Sequence, residues 1–415
     1  MAGDTITPET MAARDRSDPL RRFRDAFVVP EGVIYLDGNS LGMLPRACAQ
    51  RARTVVEQEW GRSLINSWNE HGWIDMPLRI GAAIAPLIGA GGDEVVVCDS
   101  TSVNLFKALA SATAQRPDRR TIVTNDENFP TDVYIAEGLC RLKGNGYRLR
   151  AAPPDRLADV LGDDVAAVAY SHVDYKSARI EPMSEITAQI HACGALAIWD
   201  LSHSAGALPV DLNGANADFA VGCGYKYLNG GPGAPAFLFA ARRHHDHMAN
   251  PLSGWLGHAA PFEFGSRYRP APGIARMITG TPPVVSMALL EAAVGIIADA
   301  GMQRLRAKSI DMTSLLVDLI AQECAGADLV LASPPDAAQR GSHVIFAHPD
   351  GYAIVQALKA RGVIGDFRAP HFVRLGVAPI TLSYADLWNG VQQIKAVMQA
   401  REWDQDQFRT RAAVT

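Results

Sequence analysis

From about residue 90 to 240 the chain alternates short, nearly continuous apolar runs with longer stretches of helical spacing, and this alternation narrows the fold more than any other feature. The runs are EVVVC, TIVTN, VAAVAYSH, LAIWDL, DFAVGC and APAFLFA. Between them lie segments such as TSVNLFKALASATAQ and EPMSEITAQIHACG, whose apolar residues recur at the helical period. Strands covered on both faces lose the polar–apolar alternation of half-exposed ones, and strands separated by helices pair in parallel. The expectation is an α/β fold with a mostly parallel central sheet flanked by helices.

After TGTPPVV the texture changes. A helical pattern runs from Ser286 to about Gln322 with a break at Gly301, then come a strand at HVIFAH, a helix at YAIVQALKARG, a strand at FVRLGVA and a closing helix from Ala385. This predicts a smaller C-terminal α+β domain, completed by part of the N-terminal arm. The expected division is 1–60 for the arm and linking helix, 61–280 for the large domain and 281–415 for the small one; 415 residues suffice for two cores.

Composition excludes several roles. With 39 Lys+Arg against 44 Asp+Glu, the net charge of −5 offers no basic surface for nucleic acid or an anionic membrane. No apolar stretch is long enough to span a bilayer and the N-terminal residues are polar, so the expected location is cytoplasmic. Six scattered cysteines without a CxxC pair predict neither a disulfide framework nor a zinc site. The histidines of RRHHDH at 242–247 point in diverging directions and are expected to form a solvated turn, not a metal site.

Asp200 directly follows the apolar run LAIW, His203 comes three residues later, and Lys226 lies just past DFAVGC in GCGYKYLNGGPG. In an open α/β sheet, residues at strand C-terminal ends face the ligand crevice, so Asp200 and Lys226 can share one rim. A lysine and a carboxylate so placed suit pyridoxal phosphate (PLP): the amine forms a Schiff base, and the carboxylate keeps the pyridine nitrogen protonated. Taken alone, Lys226 fits a solvated turn and Asp200 a helix cap. The pair gains weight from an anion cradle at CDSTSVNLFKAL, where Asp99, Ser100, Thr101 and Ser102 crowd a strand–helix junction. Plain N-capping is the bland alternative there. The chain lacks a Walker-type GK[ST] and has no GxGxxG after its first strand, which removes nucleotide-binding readings.

At this point a family resemblance enters. YLDGNSLG at 35–42, NFPTD at 128–132, WDLSHSAG at 199–206, GCGYKYLNGGPG at 222–233, LSGWLGH at 252–258, TGTPP at 279–283 and VRLGVAP at 373–379 together resemble the kynureninases. These are fold-type I PLP enzymes related to the class V aminotransferases. The resemblance implies hydrolytic cleavage of L-kynurenine to anthranilate and L-alanine, in a homodimer with active sites at the subunit interface. It implies that Lys226 is the Schiff-base lysine, that Asp200 pairs with the pyridine nitrogen beside His203, and that Phe129 stacks on the ring with Asp132 nearby. Thr101, Ser102 and Tyr225 would hold the phosphate, Ser171 would contact the cofactor, and Trp255 and Thr281 would reach the phosphate from the neighbouring subunit. Tyr225 is also the candidate proton relay in hydration of the substrate carbonyl.

Arg374 resembles the arginine that clamps the substrate carboxylate, a task suited to its planar fork. His71, in WNEHGW, is a candidate wall for the substrate ring. Some relatives carry asparagine where this chain has Thr281 and a hydroxyl residue where it has Gly280. That difference favours unsubstituted kynurenine, with 3-hydroxykynurenine as a secondary substrate. The rival readings are a cysteine desulfurase, for which Cys324 is the candidate nucleophile in the C-terminal part, a class V aminotransferase, and a non-catalytic PLP-binding protein. The last lacks support because no basic helix-turn-helix segment precedes the first strand.

Overall fold

The structure is a computed structural model that describes residues 5–411. It divides into two compact units. The larger comprises Ala47–Tyr175 and Glu181–Ala298; the smaller comprises the residues up to Arg46, Lys176–Ile180 and those from Asp299 onward. The large unit therefore extends past both ends of the expected 61–280. The helix Arg46–Arg53 and most of the helix Val284–Ala300 pack within it, where the Cys48 thiol donates to Leu289 O at 3.2 Å.

Strands are numbered along the chain; β1 (Ile34–Tyr35) belongs to the smaller unit. The large unit is built on β2 (Val95–Val97), β3 (Thr121–Thr124), β4 (Arg148–Ala151), β5 (Val165–Ser171), β6 (Leu196–Asp200), β7 (Phe219–Gly222) and β8 (Phe237–Ala240). Their order is β2-β8-β7-β6-β5-β3-β4, and only β8 runs against the others. The apolar runs form β3, β5, β6, β7 and β8 inside the sheet and β2 at one edge, and their residues are covered: Trp199, Phe219, Phe237 and Phe239 are fully buried. A buried indole still needs a partner for its N–H, and Trp199 Nε1 donates to Thr187 Oγ1 at 3.1 Å. RLRA forms the edge strand β4, which an apolar-run criterion passes over because arginines occupy its alternate positions. Arg148 and Arg150 both bind Asp164, and the charges blunt an edge that would otherwise invite another strand.

The smaller unit holds an antiparallel sheet of order β12-β13-β10-β9. Its strands are β9 (Val330–Leu331), β10 (His343–Ala347), β12 (Asp366–Arg368) and β13 (Phe372–Gly376); β11 (Val363–Ile364) pairs in parallel with β1. Leu316, Leu319, Ile354, Leu387 and Val391 from three helices fill its core. Gly362, at φ +80°, takes the left-handed position after the helix Gly351–Ala360 that KARGV predicts. The N-terminal helix Pro8–Ser17 docks here: Asp15 accepts from the Tyr384 and Ala385 amides at 2.8 and 3.0 Å, neutralising the first turn of Tyr384–Gln399.

The expected solvated turn at RRHHDH is corrected. His244 and His245 are buried; His244 stacks on Phe219 at 5.1 Å and its Nε2 lies 2.7 Å from Asp218 Oδ1. Asp218 also meets His191 Nε2 at 2.7 Å, Arg243 at 2.8 Å and the Ala197 amide at 2.7 Å. Consecutive histidines do diverge, but inward-facing Asp218 gives the cluster a buried acceptor. No metal-holding group of His, Cys, Asp and Glu occurs among the described residues.

Burial alone would raise the Asp218 carboxyl, but the hydrogen bonds from His191, His244 and the Ala197 amide overcome it and hold it well below its ordinary value. A depressed carboxyl stabilises the fold fully above the ordinary value of 3.8 and loses that contribution as pH falls below it. Asp218→Ala should cost about 3–5 kcal/mol at neutral pH, as for a severed buried pair. Urea unfolding should show the gap to wild type narrowing as the pH drops through the carboxylate range.

Candidate active site

Because β3, β5, β6 and β7 are parallel, the residues that end or follow them share one rim. Ser171 ends β5 and Asp200 ends β6, and the two are paired in register. The turn after β7, whose Val221 pairs with Asp200, carries Cys223 to Lys226, and the turn after β3 leads through Asn128 and Phe129 into the helix Pro130–Lys143. In that first turn Gly224 is obligatory, since a Cβ there would stand 2.4 Å from Pro235 O.

Lys226 Nζ lies 3.1 Å from His203 Nε2, 6.0 Å from the Phe129 ring centre and 5.9 Å from that of Tyr225. The expectation put His203 beside Asp200; its ring meets the lysine amine, while Asp200 Oδ1 accepts from the Ser202 amide at 2.7 Å. Ser171 Oγ donates to Asn128 Oδ1 at 2.6 Å, and Asn128 Nδ2 donates to Asp132 Oδ2 at 3.1 Å. Asn128 thus ties the end of β5 to Asp132, a role the sequence reading did not assign although NFPTD begins with it. Phe129 packs edge-on against Tyr175 at 5.3 Å, a second neighbour that sequence reasoning missed. Asp132 and Asp200 are both buried. Burial and then the Asp200 charge push the Asp132 carboxyl well above its ordinary range, opposed by the Lys226 charge.

A cavity of about 570 Å³ opens beside this cluster, lined among others by Ser100, Thr101, Tyr225, Thr279, Gly280 and Thr281. Thr101 and Ser102 are the first residues of the helix Thr101–Ala114, whose leading N–H groups lack intrahelical acceptors. Ser100 Oγ accepts from the Val103 amide at 3.3 Å, so the capping alternative is realised, and a cap leaves the other leading N–H groups available to an anion. Thr279 Oγ1 is buried without a hydrogen-bond partner. An orphaned hydroxyl beside a helix N-terminus is what an anion would satisfy, and a lysine amine and a stacking ring stand at the neighbouring rim. The residues fit PLP. Tyr225 adds a donor, since burial first, then Cys223 and Asp200, push its phenol up and keep it protonated.

Trp255 and Thr281 belong to the same unit. Trp255 stacks on Phe264 at 6.2 Å and meets Phe262 edge-on at 5.5 Å, all three rings exposed. His71 is not gathered into the cluster: it sits on an exposed turn with Nε2 3.1 Å from Ser63 Oγ. Its two tryptophan neighbours pack on each other, 5.9 Å apart, and Trp73 donates to Glu59 at 2.7 Å.

Arg374, in the smaller unit, is buried on β13. Asp366 takes its Nε at 2.7 Å and its Nη2, and Nη2 also reaches Ser40 Oγ at 2.9 Å. Asn39 lies so close that a Cβ at Gly376 would overlap its side chain, at 1.6 Å. The LDGNSLG segment therefore frames Arg374, a use the sequence alone did not reveal. Asp37, from the same segment, is pushed up to about 7 by burial and then by the Asp366 charge. Between the ordinary 3.8 and that value the folded state holds a proton the unfolded chain has lost, so stability falls as pH rises across the window. Asp37→Asn should abolish that slope and raise the melting temperature at about pH 8, in a series of thermal melts.

The family model described as the kynureninase C-terminal domain matches residues 305–394. The kynureninase of Pseudomonas fluorescens is 48% identical over 408 residues, covering 97% of this chain and 98% of its own length. Among solved structures, a C-DES mutant with glycine covalently linked to its PLP cofactor superimposes with TM-score 0.77 at 19% identity, over 92% of this chain and 99% of that one. A cysteine desulfurase from Thermococcus onnurineus gives 0.75 at 18% identity, over 96% and 100%. The likeness to the solved structures shows a shared fold-type I architecture, and the full-length identity to a curated relative shows more: the chain belongs to the kynureninase family.

Proposed function

We propose that the chain is a PLP-dependent hydrolase that adds water across the Cβ–Cγ bond of L-kynurenine, releasing anthranilate and L-alanine. The observation that carries this reading is the rim cluster of Lys226, Asp200, His203 and Phe129 in a chain 48% identical to a kynureninase over nearly its whole length. Bound there, PLP supplies an electron sink for bonds at the substrate's α- and β-carbons.

The chain's own residues divide the remaining work. Lys226 takes the α-proton of the substrate and returns protons to carbon. Asp200 holds a proton at the pyridine nitrogen, and the carboxyl of Asp132, raised by burial and then by the Asp200 charge, is disfavoured from adding a second charge beside it. Phe129 covers the ring face and excludes water, with Ser171 and Asn128 fixing the loop that presents it. Tyr225 donates toward the phosphate alongside Thr101 and Ser102, and its hydroxyl is the candidate that hands a proton to the substrate ketone as water adds. Arg374 offers its fork to the substrate carboxylate, which must compete with Asp366 for it.

Gly280 leaves open space where a side chain would stand, and itself offers no side-chain partner to a ring hydroxyl, which favours unsubstituted kynurenine over its 3-hydroxy form. Exposed Trp255, Phe262 and Phe264 form an apolar patch suited to burial against a second copy, in keeping with a homodimer in which Trp255 and Thr281 approach the partner's phosphate. A desulfurase reading finds no nucleophile at Cys324, whose thiol burial pushes up to about 11.

Purified holoenzyme mixed with L-kynurenine should yield fluorescent anthranilate and alanine in equal amounts; release of sulfide from cysteine without either product would reverse the assignment. Lys226→Ala should stay folded by circular dichroism yet lose visible cofactor absorbance and turnover. Arg374→Ala should raise KM, by an amount equivalent to about 2–5 kcal/mol; an unchanged KM would remove Arg374 from the site.

A further inference from the structure

Lys107 lies two turns into the helix Thr101–Ala114, and its side chain is 0% exposed. Its ammonium has three protons and three acceptors: Asp99 Oδ2 at 2.6 Å, Met277 O at 2.7 Å and Cys98 Sγ at 3.3 Å. Asp99 occupies the left-handed region at φ +48°, a conformation a non-glycine residue adopts only when its surroundings hold it. Asn104, one turn before Lys107, also reaches back, donating to Cys98 O at 2.8 Å. Met277 leads directly into Ile278, Thr279, Gly280 and Thr281, which form a second wall of the cavity that Asp99, Ser100 and Thr101 line. One buried ammonium therefore joins both walls of that cavity.

The charge arrangement is as informative as the connection. Asp99 puts a carboxylate on the lining of a cavity whose other features favour an anion. Two negative groups that share one cavity repel unless a cation stands between or behind them. Lys107 is that cation; among residues that touch Asp99 it is the one that turns a hostile carboxylate into a neutral structural element.

We propose that Lys107 is a positioning residue for the cofactor phosphate: it neutralises Asp99 and clamps the Asp99–Thr101 turn to the Met277–Thr281 wall, so that the cavity accepts a phosphate dianion. The proposal rests on the reading of this cavity as the phosphate site. Its consequence is selective. Removing the ammonium weakens recognition of the phosphate group, and leaves the aldehyde chemistry at Lys226 intact.

The test compares PLP with pyridoxal, which lacks the phosphate, by titrating apoenzyme stripped of cofactor and following the absorbance change on binding. Wild type should prefer PLP; if it shows no preference, the phosphate assignment of the cavity fails, whatever Lys107 does. In Lys107→Met the affinity for PLP should fall by about tenfold or more while that for pyridoxal changes by less than about threefold. Adding Asp99→Asn to that variant should restore most of the lost preference, because the uncompensated carboxylate is gone. An undiminished PLP preference in Lys107→Met, or an equal loss for both ligands, overturns the proposal. Should Lys107→Met fail to fold by circular dichroism, Asp99→Asn alone decides: with the cation kept and the opposing charge removed, the PLP preference should be equal or greater, and a smaller one overturns it.

Discussion

Parallel pairing of β6 with β5 and β7 is the constraint on which the chemistry of the large unit depends. A parallel ladder points every strand's C-terminal end the same way, so residues far apart in sequence emerge on one rim with spacings set by the sheet. Ser171, Asp200 and the turn holding Lys226 are neighbours for that reason alone. The ladder survives because Trp199, Phe219 and their companions are wholly buried, which fixes the register: a slip of one residue would carry these large side chains to the opposite covered face and break their packing on both.

Burial at that rim sets the protonation of the groups it gathers. Asp132 and Asp200 stand together, buried, with one amine nearby, and burial and then the Asp200 charge push the Asp132 carboxyl well above its ordinary range. Tyr225 keeps its proton for the same reason. A site that must bind an anion and polarise a ring nitrogen is thereby supplied with donors at one place and a carboxylate at another. In the smaller unit the same physics runs differently: Asp37, Asp366 and Arg374 share a buried pocket in which the fork of the guanidinium is already engaged.

Several features were legible along the chain because they depend on local patterning. The apolar runs appear as strands of the large sheet within two or three residues, the break at Gly301 separates two helices, and the strand-end positions of Asp200 and Lys226 follow from the runs that precede them. Elements whose stability comes from elsewhere were not legible. The edge strand β4 carries arginines, and β1, β11 and β12 are too short to leave a pattern. RRHHDH reads as polar, yet His244 turns inward to Asp218 and His245 to the Ala240 carbonyl. Asn128, Tyr175 and Lys107 gave no signal, since each matters through a partner tens of residues or more away.

The sequence by itself determined the α/β class, the family and the identity of the lysine, aspartate and arginine on which a functional reading turns, because spacing and motif are properties of a chain. Only the tertiary structure decided which groups touch: His203 on Lys226, Asn128 between Ser171 and Asp132, and Lys107 across two walls of one cavity. Contacts of this kind arise when separate strands and helices pack, and their energies depend on burial and distance, neither of which is written in the order of residues.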